Sequence, residues 1–411
     1  MSHLKREDPC IATLIEKERI RIEETLDMIA AENHAPPSVM EVLGSILNTK
    51  TIEGYPGKRF HAGCEHVDEI EDIAVQRAKE LFGAEYVNVQ PHSGTSANLA
   101  VYFSVLDVGD SVLSMGLPHG GHLSHGHRAS ITSKCFEFTH YGVDPKTERL
   151  DYDRIRDLAY KVKPKMIVAG ASSYPRLIDY EKIAVIAREV NAYCLADMAH
   201  LAGLVAGKVI PSPVPCCDFV TFTTYKTLMG GRGGVILARE EFGQRLNAAV
   251  FPGCQGTSAV NLIAAKGLIF KLAMEPRFIE IQKKTVENAK ILAQSLNAQG
   301  YRIVSGGTDN HQVLIDLTSK KLNGAMAETA LESAGIVLNR NVIPSDVRTP
   351  GSVSGLRLGS AGLTTRGMGH SEMITIAGMI DRVLSQSDDP TVLNKTNHQV
   401  KKLCRRYPVY A

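Results

Sequence analysis

The sequence predicts an α/β protein: a mostly parallel sheet with helices on both faces, plus a smaller α/β C-terminal domain. Three observations carry this expectation. From about residue 150 helical and strand patterns alternate, and that alternation builds parallel sheets from βαβ units. Met166-Ile167-Val168-Ala169-Gly170-Ala171 is a continuous apolar run, as a strand buried on both faces requires. Ser172, Asp197, His200 and Lys226 each fall at the end of a strand-like run, where this architecture gathers its functional groups.

Bulk properties bound the function. The 411 residues are 44% hydrophobic, ample for a large core. A formal net charge of +2 gives no reason to expect nucleic acid or a membrane as partner. Eight cysteines without a CxxC pair read as reduced thiols of a cytoplasmic protein. The polar stretch 1–9 is unlike a signal peptide, and no apolar run is long enough to cross a bilayer. The expected organisation is an N-terminal arm over 1–50, a large domain over 51–285 and a small domain over 286–411.

In chain order, residues 11–30 space their apolar side chains as a helix, either an arm on a partner subunit or a helix on its own chain. Residues 50–64 have the Gly, Pro and charge content of a loop, either a binding loop or a plain connection. A helix over 68–83 is expected to end near Gly83. Tyr86-Val87-Asn88-Val89 reads as a strand running into Gln90-Pro91-His92-Ser93-Gly94-Thr95-Ser96-Ala97-Asn98 and a helix. Strand, Ser-Gly-Thr turn and helix make a cradle for phosphate, although Ser and Thr also simply cap helices.

Residues 111–115 read as a strand before His119-Gly120-Gly121-His122-Leu123-Ser124-His125-Gly126. No Asp, Glu or Cys shares that loop, so no metal is assigned and an imidazole stacked on an aromatic ligand is the alternative. Helices over 155–162 and 183–191 alternate with strands over 166–171 and 193–196. Val220 to Thr224 is β-branched and aromatic, a buried strand. Lys226 follows it, and then the Gly-rich Gly230-Gly231-Arg232-Gly233-Gly234. A lysine buried there becomes easier to deprotonate, and a neutral amine can form a Schiff base. An Asp at one strand end, a lysine at the next, a hydroxyl-rich helix start and a stacking His together fit pyridoxal phosphate.

Towards the C-terminus, a long helical stretch is expected from about 261 to 299. Strands near 301–304 and 312–316 and a helix over 324–334 follow. Arg357, between short apolar residues, is either a fork for a carboxylate or half of a structural salt bridge.

Several motifs resemble serine hydroxymethyltransferase, a fold type I pyridoxal-phosphate enzyme. They are Glu53-Gly54-Tyr55-Pro56-Gly57-Lys58-Arg59, Gln90-Pro91-His92-Ser93-Gly94, His119-Gly120-Gly121-His122-Leu123, Asp197-Met198-Ala199-His200, Lys226-Thr227-Leu228 and Thr364-Thr365-Arg366-Gly367. The resemblance implies that Lys226 carries the cofactor and Asp197 pairs with its ring nitrogen. It implies that His122 stacks on the ring and that Ser93, Gly94 and Thr95 cup the phosphate. Ser172 and His200 would bond the phenolic side, and Arg357 the substrate carboxylate. Glu53 from the neighbouring subunit of a homodimer would manage the hydroxymethyl proton. Leu117, Leu123 and Asn341 match the pterin pocket of the co-substrate tetrahydrofolate.

The chain departs from that pattern near the substrate. Ala31 stands for a serine, Thr51 for a tyrosine that contacts phosphate, and Phe60-His61 for a pair of tyrosines. Tyr225 replaces the histidine before the lysine, Ser96 replaces a glutamine, and Gly256-Thr257-Ser258 replaces Gly-Gly-Pro. A phenylalanine usual before Arg357 is absent, with Gly351 in that region. On the resemblance, Glu53, His61 and Tyr225 join Lys226 at catalytic positions, Thr51 and Gly256 at cofactor positions, and Ala31, Glu53 and His61 join Arg357 at substrate positions. The activity implied is transfer of a hydroxymethyl group by cleavage of the Cα–Cβ bond of serine or a close analogue such as α-methylserine. The alternative is a folate-independent aldolase or transaldolase for other β-hydroxy amino acids. A silent scaffold has no need of Lys226, Asp197, Arg357 and Glu53 together.

Overall fold

The computed structural model describes residues 2–320, 322–344, 346 and 353–410, so Gly351 lies outside the described residues. The central sheet has seven strands: β1 Tyr86–Asn88, β2 Ser111–Met115, β3 Glu137–Tyr141, β4 Met166–Gly170, β5 Tyr193–Asp197, β6 Phe219–Thr223 and β7 Gly234–Ala238. Their order is β1-β7-β6-β5-β4-β2-β3. Strands β3, β2, β4, β5 and β6 run parallel, whereas β7 is antiparallel to both β6 and β1. Strand β1 therefore points the same way as β6. The carboxyl ends of β1, β4, β5 and β6 all open on one edge, which is what positions the site.

The period-two alternation of strands sorts their side chains into two apolar clusters. Val112, Val168, Leu195, Phe219 and Ile236 enter one, and Leu113, Ile167, Val220 and Leu237 the other. Helices cover both faces. On the second cluster lie α1 Glu65–Phe82 and α3 Val260–Ala273; on the first lies α2 Gly94–Val105. Helix α1 ends where the sequence indicates, with Gly83 in the left-handed conformation at φ 69°.

The stretch expected as one helix over 261–299 is two, α3 and α4 Pro276–Ala298. Proline has no N–H to donate and its ring clashes with the preceding turn, so Pro276 starts a new helix. The loop expected over 50–64 contains a short hairpin, Gly54–Tyr55 against Lys58–Arg59. Strands β3 and β7 escape sequence reading. Strand β3 is an edge strand with exposed polar residues, and β7 begins inside the Gly-rich run after Lys226.

A second sheet is antiparallel: β8 Arg302–Ile303, β9 Gln312–Asp316, β10 Asn339–Asn341 and β11 Gly355–Gly359, in the order β8-β9-β11-β10. Its core includes Leu292 and Leu296 of α4 and Ile376 and Ile380 of α5 His370–Ser385. Leu26 and Met28 also pack there, and Leu26–Asp27 pairs with Ile336–Val337. The preceding helix, Pro9–Glu24, leaves Ile11, Leu14, Ile15 and Ile20 exposed. Arg366 anchors the chain ends, donating to the carbonyls of Glu23, Thr25, Cys404 and Tyr407.

Candidate functional site

The shared sheet edge forms a cleft lined by Ser93, Gly94, Thr95, His122, His125, Ser172, Asp197, His200, Tyr225 and Lys226. Ser93 caps α2: Ser96 N–H donates to Ser93 Oγ at 3.1 Å, and Ser93 N–H to Ser96 Oγ at 2.9 Å. Ser96, a departure in sequence, thus completes a capping box. Orphan amides of the first turn and the helix dipole make this end a seat for an anion. Glycine is needed at 94 because β6 passes close by; a Cβ there would lie 2.8 Å from Thr223 Cγ2.

Asp197, at the end of β5, is buried, and its oxygens are divided. Oδ2 accepts from Asn98 Nδ2 at 2.8 Å and meets His125 Nε2 at 3.0 Å; Oδ1 accepts Ala199 N–H at 3.0 Å. Because His122 N–H donates to His125 Nδ1, His125 carries its proton on Nε2 and donates to Asp197. Thr221 Oγ1 in turn donates to Asn98 Oδ1 at 2.6 Å. Burial alone would raise the Asp197 carboxyl, but the hydrogen bonds donated by His125 and Asn98 hold it well below the usual carboxylate range. It stays anionic, with a lone pair on Oδ1 for one further donor.

His122 accepts the Ser124 N–H on Nδ1 at 3.1 Å, and burial lowers it to about 4, so it is a neutral ring at the cleft wall. His122, His125 and Asp197 present ligand atoms within 4.8 Å of one another. The loop on its own holds no acid, but the fold delivers one from β5, which the sequence does not reveal. His200 stacks on His311 with ring centroids 5.7 Å apart, and among the described residues its buried Nδ1 has no partner.

Lys226 is buried, and among the described residues its ammonium has no carboxylate within ion-pair distance. Burial lowers it to about 8, against the opposing charge of Asp197 and with help from Arg357. Its backbone carbonyl accepts from Asn33 Nδ2 at 3.0 Å, and Thr365 Oγ1 holds Asn33 Oδ1 at 2.8 Å. Tyr225 packs under Arg232, whose guanidinium carbon is 4.5 Å from the ring centre. Arg357 donates to Ser172 O at 2.6 Å and to Asn339 Oδ1 at 3.1 Å. Burial lowers it to about 10, and among the described residues no acid pairs with it. This disfavours the salt-bridge reading and leaves a cation for an incoming anion.

Thr51, Glu53, His61 and Gly256 do not line this cleft. They form a second group, in which His61 Nε2 is 3.2 Å from Glu53 Oε2 and a Cβ on Gly256 would lie 4.0 Å from Glu53 Oε1. Ala31 sits in a turn between Ala30, which accepts from His311, and Asn33. Leu117 and Leu123 are 38% and 52% exposed, and Asn341 Nδ2 donates to Ser173 Oγ at 3.2 Å. Sequence reasoning missed Asn98, His125 and Asn33 as supports. Their partners are 99, 72 and 193 residues away, and no local pattern reports such pairings. It also missed Lys266, which is wholly buried and donates to the carbonyls of Val89, Pro91 and Gly234 at 2.5–3.0 Å.

The donor set fits pyridoxal phosphate. An anion seat, an anionic Asp with a spare lone pair, a neutral flat imidazole, an unpartnered buried His nitrogen and a depressed lysine share one cleft. A family model described as serine hydroxymethyltransferase matches residues 4–380 of the chain.

Proposed function

Because the chain belongs to the serine hydroxymethyltransferase family, a family of pyridoxal-phosphate-dependent enzymes, we propose that it reversibly cleaves the Cα–Cβ bond of serine or a close analogue and passes the one-carbon unit to tetrahydrofolate. The single observation that carries this reading is the buried Lys226 sharing a cleft with an anionic Asp197. Lys226 would hold the cofactor through its amine, and Asp197 Oδ1 would accept from the ring nitrogen. His122 would cover the ring face, the start of α2 would take the phosphate, and Ser172 and His200 the phenolic side. When bound, pyridoxal phosphate supplies an electron sink for charge developing at Cα.

The chain's own groups do the rest. Arg357 draws the amino acid carboxylate to one end of the cleft and so fixes which Cα substituent stands ready to break. Lys226, near 8, can be neutral at working pH and exchange a proton close to Cα. Glu53 would accept the proton of the hydroxymethyl oxygen as the Cα–Cβ bond opens, with His61 beside it. That Glu53, His61, Thr51 and Gly256 stand apart from the chain's own cleft supports a homodimer in which each subunit completes the other's site. The reading includes a cytoplasmic location; among the described residues no helix is long and apolar enough to cross a membrane.

For the substrate we propose α-methylserine, or another bulky β-hydroxy amino acid, as a rival of L-serine. Ala31 for serine, Thr51 for tyrosine and His61 for tyrosine all remove volume where the family surrounds Cα. A methyl in an apolar pocket is worth about 1 kcal/mol, enough to shift preference without excluding L-serine. The second reading is a folate-independent aldolase or transaldolase for other β-hydroxy amino acids. The test is turnover of a panel of β-hydroxy amino acids with and without tetrahydrofolate. A rate that rises with tetrahydrofolate supports the transferase, and a rate indifferent to it supports the aldolase.

A further inference from the structure

Residues 255–258 make contacts that no role above uses. Thr257 Oγ1 accepts the N–H of Ile52, the residue before Glu53, at 2.7 Å. Ser258 Oγ donates to Gln90 O at 2.6 Å, and Gln255 Nε2 donates to the same carbonyl at 2.8 Å. His92 closes the arrangement: its N–H reaches Gln255 Oε1 and its Nε2 meets Thr257 O, each at 3.2 Å. One short loop thus grips the segment that carries Glu53 and the segment that runs into Ser93.

The backbone around Glu53 is pinned almost completely. Arg59 Nη1 donates to Ile52 O at 2.8 Å and to Gly54 O at 2.7 Å, and Phe60 N–H donates to Glu53 O at 3.0 Å. Gln90 Nε2 adds a bond to Gly54 O. The amide of Ile52 belongs to a residue only 1% exposed and needs a partner, and Thr257 supplies it. The Gly-Pro that the resemblance puts at 257–258 carries no hydroxyl, so neither the Thr257 nor the Ser258 side-chain bond could form with it. The Thr51 replacement lies next to Ile52 in the same strip of chain.

We propose that Thr257 is a positioning residue for Glu53, with Ser258 anchoring the loop to the Gln90 segment. This rests on the reading of Glu53 as the group that handles the hydroxymethyl proton. The hydroxyl of Thr257 fixes where the Glu53 backbone starts, so it sets the reach of the carboxylate. Proton transfer is sensitive to displacements well below an ångström, whereas binding of the amino acid carboxylate by Arg357 is not affected by this loop.

The experiment compares holoenzymes bearing Thr257→Val, Thr257→Ser, Glu53→Gln and the Thr257→Val/Glu53→Gln pair. Thr257→Val keeps the shape and removes the hydroxyl; kcat for Cα–Cβ cleavage falls about 5- to 10-fold, as loss of one buried hydrogen bond implies. KM for the amino acid and cofactor affinity stay at wild-type values, Tm falls by a few degrees because the buried Ile52 N–H loses its partner, and Thr257→Ser restores both kcat and Tm. In the Glu53→Gln background the added Thr257→Val has no further effect, because the residue it acts through is gone. An unchanged kcat in Thr257→Val, an equal loss in both backgrounds, or a fall in cofactor affinity that accounts for the loss overturns the positioning role. A Glu53→Gln enzyme at wild-type rate overturns the underlying reading of Glu53 instead, and the proposal with it.

Discussion

His125 Nε2 lies 3.0 Å from Asp197 Oδ2, and the direction of that hydrogen bond is fixed by a backbone amide, since His122 N–H occupies the other ring nitrogen. The aspartate is therefore held by a donor and keeps its charge, while Oδ1, among the described residues, carries only the Ala199 N–H. Asp197→Asn would put a weaker acceptor, or a donor, where a ring N–H must bind. We expect turnover to fall by at least about 100-fold, in line with loss of a charge-assisted bond in a buried site. Steady-state kinetics of the refolded, cofactor-saturated variant checks this; a loss below about tenfold would remove Asp197 from the cofactor.

Lys226→Ala should abolish turnover and leave a folded protein. The amine is the only group in the described cleft able to hold an aldehyde covalently. The absorbance band of enzyme-bound pyridoxal phosphate should shift to that of the free aldehyde, with gel filtration unchanged. Near wild-type turnover would place the cofactor elsewhere.

Lys226 also sets a pH signature. Its pKa is about 8 in the folded apoenzyme and near the ordinary lysine value when unfolded, so between these the unfolded chain binds more protons. Stability from this group therefore rises with pH across that window and is lowest below about 8. The shift corresponds to about 3 kcal/mol. Lys226→Met should raise the Tm of the apoenzyme at pH 7 and raise it less at pH 10. Thermal melts of both proteins at both pH values test this, and a Tm gain independent of pH would mean the lysine is not destabilised by burial.

Arg357→Ala should raise the amino acid KM roughly 10- to 150-fold, from about 1.5–3 kcal/mol for a hydrogen bond to a charged group. Arg357→Lys should recover only part of it, because an ammonium cannot make the planar two-bond contact. Its two observed bonds, to Ser172 O and Asn339 Oδ1, hold the guanidinium in place without neutralising it. An unchanged KM in the alanine variant would move the carboxylate site.

What could be read in the sequence was what lies within a few residues of a strand end. Ser93, Asp197 and Lys226 announce themselves because a strand, a turn and a reactive side chain are adjacent. The supports of the same groups are not adjacent to anything relevant. Asn98, within α2, and His125, in the loop after β2, meet Asp197 at the end of β5 only through the tertiary fold, since β4 stands between β2 and β5 in the sheet. Strand β7 was hidden because glycines usually mark turns, while here Gly234 opens a strand packed against Ser93, where a Cβ would lie 2.1 Å from its carbonyl oxygen. Pro276 was legible and its consequence for the long helix was not drawn. Arg366 carried a motif but no hint that its fork would bind five carbonyls at the two chain ends.

The most direct measurement is the amino acid product formed when holoenzyme receives equal amounts of L-serine and α-methylserine with tetrahydrofolate. Removing the hydroxymethyl group and returning a proton to Cα gives glycine from the first and alanine from the second. The account predicts both products, with alanine formed at a rate that rivals glycine, and neither formed by Lys226→Ala. Absence of both glycine and alanine would contradict Cα–Cβ cleavage itself, and glycine alone would contradict the enlarged pocket at Ala31, Thr51 and His61.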